Sequence, residues 1–384
     1  MDIAKIREYS IPLILGVIIA LAWANISPEG YHSFLHHEIL LGINFHFFVN
    51  DLFMVFFFAM AAVEITKSLL PGGALNPIKK AVTPLMATAG GVLGPVAVFL
   101  ILNSFIGSPD FIRGWGIPTA TDIALAWLVA RIVFGGGHSA VSFLLLLAIA
   151  DDAIGLGIIA IFYPDPTMPT EPTWLLLVAA AMALAFIMRK MKVQSYWPYI
   201  FGSGVLAWIG MHNAHLHPAL SLVFIVPFLI HPVSSNGELT GHSSLDHFEH
   251  QFKPFVDFGL IMFGISNAGV VFSGISNLTW IVFFALLVGK TFGVFIMGSI
   301  SRMLGFPLPD NMGKKELFLA GVIAALGLTV ALFVAGVAYI DVALQGAAKM
   351  GALFTAFVAI LAIVLGRVLG VKKIDDTEKV RDVS

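Results

Sequence analysis

The chain has 384 residues, 58% of them hydrophobic and 11% charged. A soluble domain carries about 25% charged residues, so the deficit excludes an ordinary globular protein, and apolar runs of about 20 residues recurring from end to end mark an integral membrane protein. The net charge of −2 gives no footing for nucleic acid, and the absence of Cys removes disulfides and thiolate metal sites.

Twelve spans are predicted, near 9–25, 48–66, 81–104, 116–134, 139–163, 173–188, 196–211, 216–231, 254–272, 279–301, 317–340 and 350–370. Ahead of the first stand Lys5 and Arg7, and Ala22-Trp23-Ala24 has the form of a signal-peptidase site. The charges are equally consistent with a retained first helix. Asp51 and Glu64 flank the second span, where interfacial anchoring explains either, and its run FMVFFFAM is lipid-facing or core filler. The fourth and eleventh spans share a pattern: GWGIPTATDIALAW (Gly114–Trp127) and GVIAALGLTVALF (Gly321–Phe333) each begin apolar, meet a Gly/Thr interruption and resume. Each lies in the middle of a three-span group, 81–163 or 279–370. Interrupted spans at matching places in two halves point to broken helices around a midplane ion site.

His212, His215 and His217 follow the seventh span, where a chance cluster in a short surface loop explains them better than a metal site; pH sensing is a further reading of the cluster. Ser266 and Asn267 in the ninth span read as interhelical hydrogen-bonding groups. Long connections are expected near 26–47 and 232–253, and KKIDDTEKVRDVS reads as a polar tail. Taking alternate connections as one side collects eighteen of the 21 Lys and Arg there, leaving Arg113 and Lys349 opposite and Lys290 inside a span. That bias places both termini in the cytoplasm.

The ionisable residues within the spans carry the chemistry. Asp151 and Asp152 stand side by side in LLLLAIADDAIGLGIIAIFY, and together they cost about 5–7 kcal/mol on insertion scales. Adjacent helical residues point about 100° apart, so both can border one cavity. Two carboxylates away from water hold a proton yet yield it to an arriving cation, which is what a proton-coupled cation site requires. Asp122 follows Pro118, Thr119 and Thr121 at the first interruption, where freed backbone oxygens suit a hard cation such as Na⁺ or Li⁺. Lys290 needs a buried partner, and an Asp is the natural one. Read blandly, this set is polar glue between helices, but intramembrane ionisable residues are functional by default.

At these residues the sequence resembles the NhaA family of sodium/proton antiporters, itself a known example of the inverted-repeat transporters. The motifs are TATDIALA, AIADDAIGLGIIAIFY, VGKTFGV, LGLTVALFVAGVAY, VNDLFMVFFFAMAAVE and FEHQFKPFV with FGISNAG, over essentially the whole chain. The resemblance implies an all-α polytopic protein of inverted repeats with two broken helices crossing at the midplane. A mobile core would comprise about 81–163 and 279–370, and a dimer-side panel about 9–66 and 173–272. It implies Asp152 as the main Na⁺ and proton ligand and Asp151 as a second carboxylate able to pair with Lys290. Asp122 would balance positive helix ends, with Thr121 near the ion. Lys290 would balance negative ends or carry a proton, and Glu64, Glu249 and His250 would belong to a cytoplasmic pH response. The expected activity is electrogenic exchange of cytoplasmic Na⁺ or Li⁺ for external protons in a bacterial inner membrane, by a homodimer with no cofactor. The stretch Ile26–Phe47 looks shorter than the family's dimer-forming hairpin, and HPVSSNGELTGHSSLDHFEH is less basic than its pH-sensing face.

Two rival readings are weaker. A sodium-coupled organic-anion symporter of similar fold wants anion-binding Arg in its core, whereas Arg113, Arg131, Arg302 and Arg367 flank spans. An intramembrane aspartyl protease has no role for a core lysine and lacks its Gly-x-Gly-Asp signature here.

Overall fold

A computed structural model describes residues 11–40, 42–76, 78–164, 168–231, 233–235, 238–240 and 243–374. Lys5, Arg7 and the tail from residue 375 lie outside the described residues. In chain order the helices are α1 (Ile11–Ile26), α2 (Pro28–His36), α3 (Phe45–Leu69), α4 (Ile78–Ile106), α5 (Ile123–Phe134), α6 (Ser139–Phe162) and α7 (Pro172–Lys190). There follow α8 (Val205–Asn213), α9 (Ser244–Asn267), α10 (Asn277–Met303), α11 (Lys314–Ala324), α12 (Thr329–Ala338) and α13 (Val342–Val368). A 3₁₀ segment, Pro109–Thr119, precedes α5, and a π-helical turn, Tyr199–Gly204, leads into α8. Among the described residues, strands are confined to two hairpins: β1 (Glu38–Leu40) with β2 (Ile43–Asn44), and β3 (Val233–Ser235) with β4 (Glu238–Thr240).

Within the described residues each predicted span falls mostly on helix, the eighth on short 3₁₀ segments at Pro218–Phe224 and Val226–Phe228. Six helices among the described residues are long and apolar enough to cross a membrane, or eight if two bent pairs each count as one span. The bent pairs are Pro109–Thr119 with α5, at 56°, and α11 with α12, at 46°. Both fall where the sequence shows its Gly/Thr interruptions. The remaining predicted spans are shorter, as in α1, α8 and Pro218–Phe228, or more polar, as in α9 with Asp246, Glu249, Lys253 and Asp257.

Three sequence expectations are corrected. Lys349 is not in an outer connection: Asp341 caps α13 by accepting the Ala343 and Leu344 N–H groups at 2.7 and 3.1 Å, so the helix starts earlier and Lys349 is buried within it. Gln345 and Gly346 made that turn look like a loop, yet the Gln345 amide donates to the Gly336 and Tyr339 carbonyls. The connection near 232–253 ends at Ser243, which forms a capping box with Asp246, so Glu249 and His250 lie on α9. The connection near 26–47 contains α2.

The chain divides into two compact units, and the cut falls within α6 after Gly155. In the described residues one unit comprises 78–155 and 270–374, the other 11–76 and 156–269. In the first, α4 and α10 cross backbone to backbone, because a Cβ at Gly90 would strike the Gly293 carbonyl and one at Gly94 the Gly289 carbonyl. This is small-residue helix packing on both partners, and it lays Lys290, next to Gly289, against α4. In the second unit, Gly16 of α1 gives the same close approach to Ile261 of α9, while Asn267 donates to Asn50 of α3 at 2.9 Å. Asn50 in turn donates to Ser266 at 3.5 Å, so Ser266 and Asn267 do link helices as expected.

Candidate functional site

The site lies in the first unit, where the two bent pairs meet at their breaks. Pro118 has no N–H to extend the segment Pro109–Thr119, and Ala120 is extended, so the chain opens before Asp122 restarts it as the N-cap of α5. In the second pair the break is at Ala325–Leu328, and a Cβ at Gly327 would approach the Ala120 carbonyl to 2.9 Å. Glycine there lets the two breaks touch. The Asp122 N–H donates to the Leu326 carbonyl at 2.6 Å and closes the contact.

Helix ends converge by charge. Asp122 is 3% exposed. Its Oδ1 accepts the Leu125 N–H at 3.0 Å, and its Oδ2 accepts the N–H and hydroxyl of Thr329 at 3.3 and 3.0 Å. One carboxylate thereby faces the positive N-termini of both α5 and α12. The opposite ends find donors: Lys290 Nζ donates to the Thr119 carbonyl at 2.5 Å, and the Thr121 hydroxyl lies 2.8 Å from the Ala324 carbonyl, at the end of α11.

Asp151 and Asp152 come from the middle of α6. Asp151 Oδ2 is 2.5 Å from Lys290 Nζ, and neither side chain is exposed. The same oxygen is 2.7 Å from the Thr121 hydroxyl, while Asp151 Oδ1 has no hydrogen bond among the described residues. A hydroxyl has one proton, so Thr121 donates either to Asp151 or to Ala324. When Asp151 is itself protonated it can donate to Thr121, which then donates to Ala324. The arrangement accepts either protonation state without rebuilding. Asp152 is 7% exposed, and its charge acts on Lys290.

All five predicted transport residues, Thr121, Asp122, Asp151, Asp152 and Lys290, are thus buried in one unit. Sequence reasoning missed Thr329, although it stands in the second interruption as Thr121 does in the first.

The tentative pH-response residues lie in the other unit. Lys67 Nζ is 2.5 Å from Asp246 and also bonds Glu249, with all three side chains about a quarter to a third exposed. Glu64 feels the charges of Lys253, Glu249 and Asp257. His250 is exposed. Burial raises the Asp246 carboxyl, but hydrogen bonds from Lys67 and Ser243 outweigh it and hold the group below the usual carboxylate range. Lys67 and Asp246 carry no distinguishing mark in sequence. The three histidines at and beyond the end of α8 do not form a metal centre: His215 bonds the Pro169 carbonyl, His212 in the last turn of α8 stacks on Trp208, and no set of three metal-binding side chains occurs among the described residues.

The sequence model of the family described as Na⁺/H⁺ antiporter 1 matches residues 3–368. The chain belongs to this family. A member from Desulfitobacterium hafniense (strain DSM 10664 / DCB-2), the Na⁺/H⁺ antiporter NhaA, is 65% identical over 378 residues, covering 97% of each chain. The Na⁺/H⁺ antiporter NhaA of Geobacter sulfurreducens is 61% identical over 374 residues, 96% of this chain and 98% of that one. The solved structure of the sodium proton antiporter MjNhaP1 from Methanocaldococcus jannaschii is 13% identical with a TM-score of 0.50, covering 93% of this chain and 91% of that one. This chain therefore shares its helical fold with that structure.

Proposed function

We propose that the protein is a Na⁺/H⁺ antiporter of a bacterial cytoplasmic membrane, exporting Na⁺ or Li⁺ in exchange for external protons, with both termini cytoplasmic. The observation that carries this reading is the fully buried Asp151–Lys290 pair beside Asp152, at the meeting of two broken helices. Hard oxygen ligands suit an alkali cation. Asp152 is the principal shared ligand, holding either cation or proton. Asp151 joins it once Lys290 lets go. Cation and protons compete for the same carboxylates, so each excludes the other and coupling needs no separate gate.

Asp122 and Thr329 hold the positive helix ends together, and Lys290 and Thr121 serve the negative ones. The unit formed by 78–155 and 270–374 is the moving core in this reading, and the other unit makes the homodimer. If Asp152 and either Asp151 or Lys290 each release one proton per cation bound, every cycle moves a net charge. The membrane potential then drives it at about 2.3 kcal/mol per charge per 100 mV. No catalytic residue and no cofactor are involved. Glu64, Glu249 and His250 belong to a cytoplasmic response to pH.

The test is cation-induced proton movement in everted membrane vesicles across pH. Na⁺ or Li⁺ should collapse an imposed pH gradient in wild type and leave it standing in Asp152→Asn. Failure of both cations in wild type at every pH would overturn the antiport reading and turn attention to sodium-driven uptake of organic anions.

A further inference from the structure

The turn that leads into the double-aspartate helix is held in a way the transport chemistry does not require. Between α5 and α6 the chain reverses through Gly135-Gly136-Gly137-His138. Gly135 has φ +83°, and a Cβ there would strike the Ile374 carbonyl at 2.5 Å. The Ile374 N–H donates to the Phe134 carbonyl and the Gly137 N–H donates to the Ile374 carbonyl, each at 2.9 Å. The chain just beyond α13 therefore straps the turn from both sides.

His138 completes it. The ring is 4% exposed, and Nδ1 accepts the Ala140 N–H at 3.0 Å, the bond of an N-cap to the first turn of α6. Most helices use Ser, Thr, Asp or Asn here, whose oxygens stay acceptors through the neutral range. Ser139 is adjacent but already the first residue of the helix, and its hydroxyl donates to the Asp310 carbonyl. An imidazole accepts only while Nδ1 is unprotonated, and its ordinary pKa is about 6.5. Protonation turns the acceptor into a donor facing another donor, and places a positive charge at the positive end of the helix.

We propose that His138 is a proton-sensitive positioning residue for transport. Neutral, it caps α6 and fixes the cytoplasmic entry of the helix that carries Asp151 and Asp152. Protonated, it releases the first turn of α6 and the Ile374 strap with it. The link to transport and the cytoplasmic placement rest on the antiport reading above; the cap itself rests on the geometry of the turn. Asp151 lies about 20 Å along the same rigid helix, so the histidine acts through the helix and not on the cation.

Burial favours the neutral ring and the nearby Glu316 of α11 favours the charged one; burial prevails, and His138 titrates below its ordinary value. The other charged groups on the elements packed here are engaged elsewhere or lie toward water. Arg131 stands 4.6 Å over the Trp127 ring, Lys315 donates to the Leu369 carbonyl at 3.0 Å, and Asp310, Lys314, Lys372 and Lys373 are partly or fully exposed. Because the folded value is depressed, the folded turn is undisturbed above the ordinary histidine value. It is penalised progressively as pH falls from there through the folded one.

The test combines two readouts on the full chain in proteoliposomes: Na⁺-driven proton flux at saturating Na⁺ from pH 5.5 to 8.5, and amide exchange at residues 140–143, normalised to intrinsic rates. In wild type, protection should fall about fivefold toward the acid end, the scale of losing one cap. His138→Asn supplies a non-titrating acceptor, so its protection should stay flat and its acid flux should exceed wild type by about the same factor. His138→Ala should lose protection at every pH. If His138→Asn keeps the wild-type pH dependence in either readout, the proposal is overturned. Should His138→Asn not fold, Glu316→Gln, which keeps an oxygen for the Gly313 N–H, should move the acid limb to lower pH; an unmoved limb overturns the proposal equally. A wild type with no Na⁺-driven flux refutes the antiport reading instead, and the exchange arm alone then decides the cap.

Discussion

Two ion pairs of equal length behave differently in this protein. Lys290 and Asp151 are 2.5 Å apart with neither side chain exposed; Lys67 and Asp246 are also 2.5 Å apart with side chains 26% and 30% exposed. Distance alone would rank them together. Solvent separates them, because removing one member of a dry pair strands a charge, while water and salt screen a wet pair. The buried pair is therefore a device for holding charge where it would not otherwise stay. The exposed one is a modest clasp between α3 and α9.

The largest expected effect follows from that difference. Lys290→Met should lower unfolding free energy by about 3–5 kcal/mol, read by thermal unfolding in detergent. Adding Asp151→Leu should recover most of the loss, since an apolar replacement of a whole buried pair is often neutral, while transport stays absent. A single mutant within about 1 kcal/mol of wild type would erase the contrast between the two pairs. Of intermediate size is Asp122→Ala. It orphans the Leu125 and Thr329 N–H groups and should cost about 1–3 kcal/mol, with exchange accelerated at those two amides. Asp122→Asn should retain much of that protection. The smallest effect belongs to the exposed cluster, where Lys67→Met should cost about 0.2–1 kcal/mol. Asp246 has a depressed folded value, so its contribution is full above the unfolded carboxylate value of about 4 and disappears as pH falls through the folded one. Paired unfolding measurements at neutral and strongly acid pH should show the Lys67→Met penalty vanish with acid.

What the sequence made legible was local. The interruptions at TATD and LGLT announce the two breaks because they recur at matching places in two three-span groups; Pro, Gly and Thr alone do not suffice, since α4 passes through Pro84 and Pro95 unbroken. The solitary lysine in VGKTFGV announces a buried partner because an unpaired charge in the membrane is intolerable. What stayed hidden depends on which segments meet. Thr329 is an unremarked threonine until α12 is placed against Asp122. Lys349 passed for a connector residue because Gln345 and Gly346 dilute the hydropathy of a turn whose helix is secured by Asp341. His138 reads as part of a glycine loop, and nothing in GGGHSAV tells that the helix begins at Ser139 and leaves the cap to an imidazole.

The meeting of the two broken helices also has a history in time. Asp122 and Thr329 are 207 residues apart in the chain. At a synthesis rate of about 5–20 residues per second, the first half waits on the order of 10–40 s before its partner is made. Throughout that interval Asp122, Asp151 and Asp152 must be tolerated without Thr329 or Lys290, as neutral acids or in contact with water. The nascent first half is a protein holding three acids for a partner that has not yet arrived, and a chain stopped before α10 would be left in that condition.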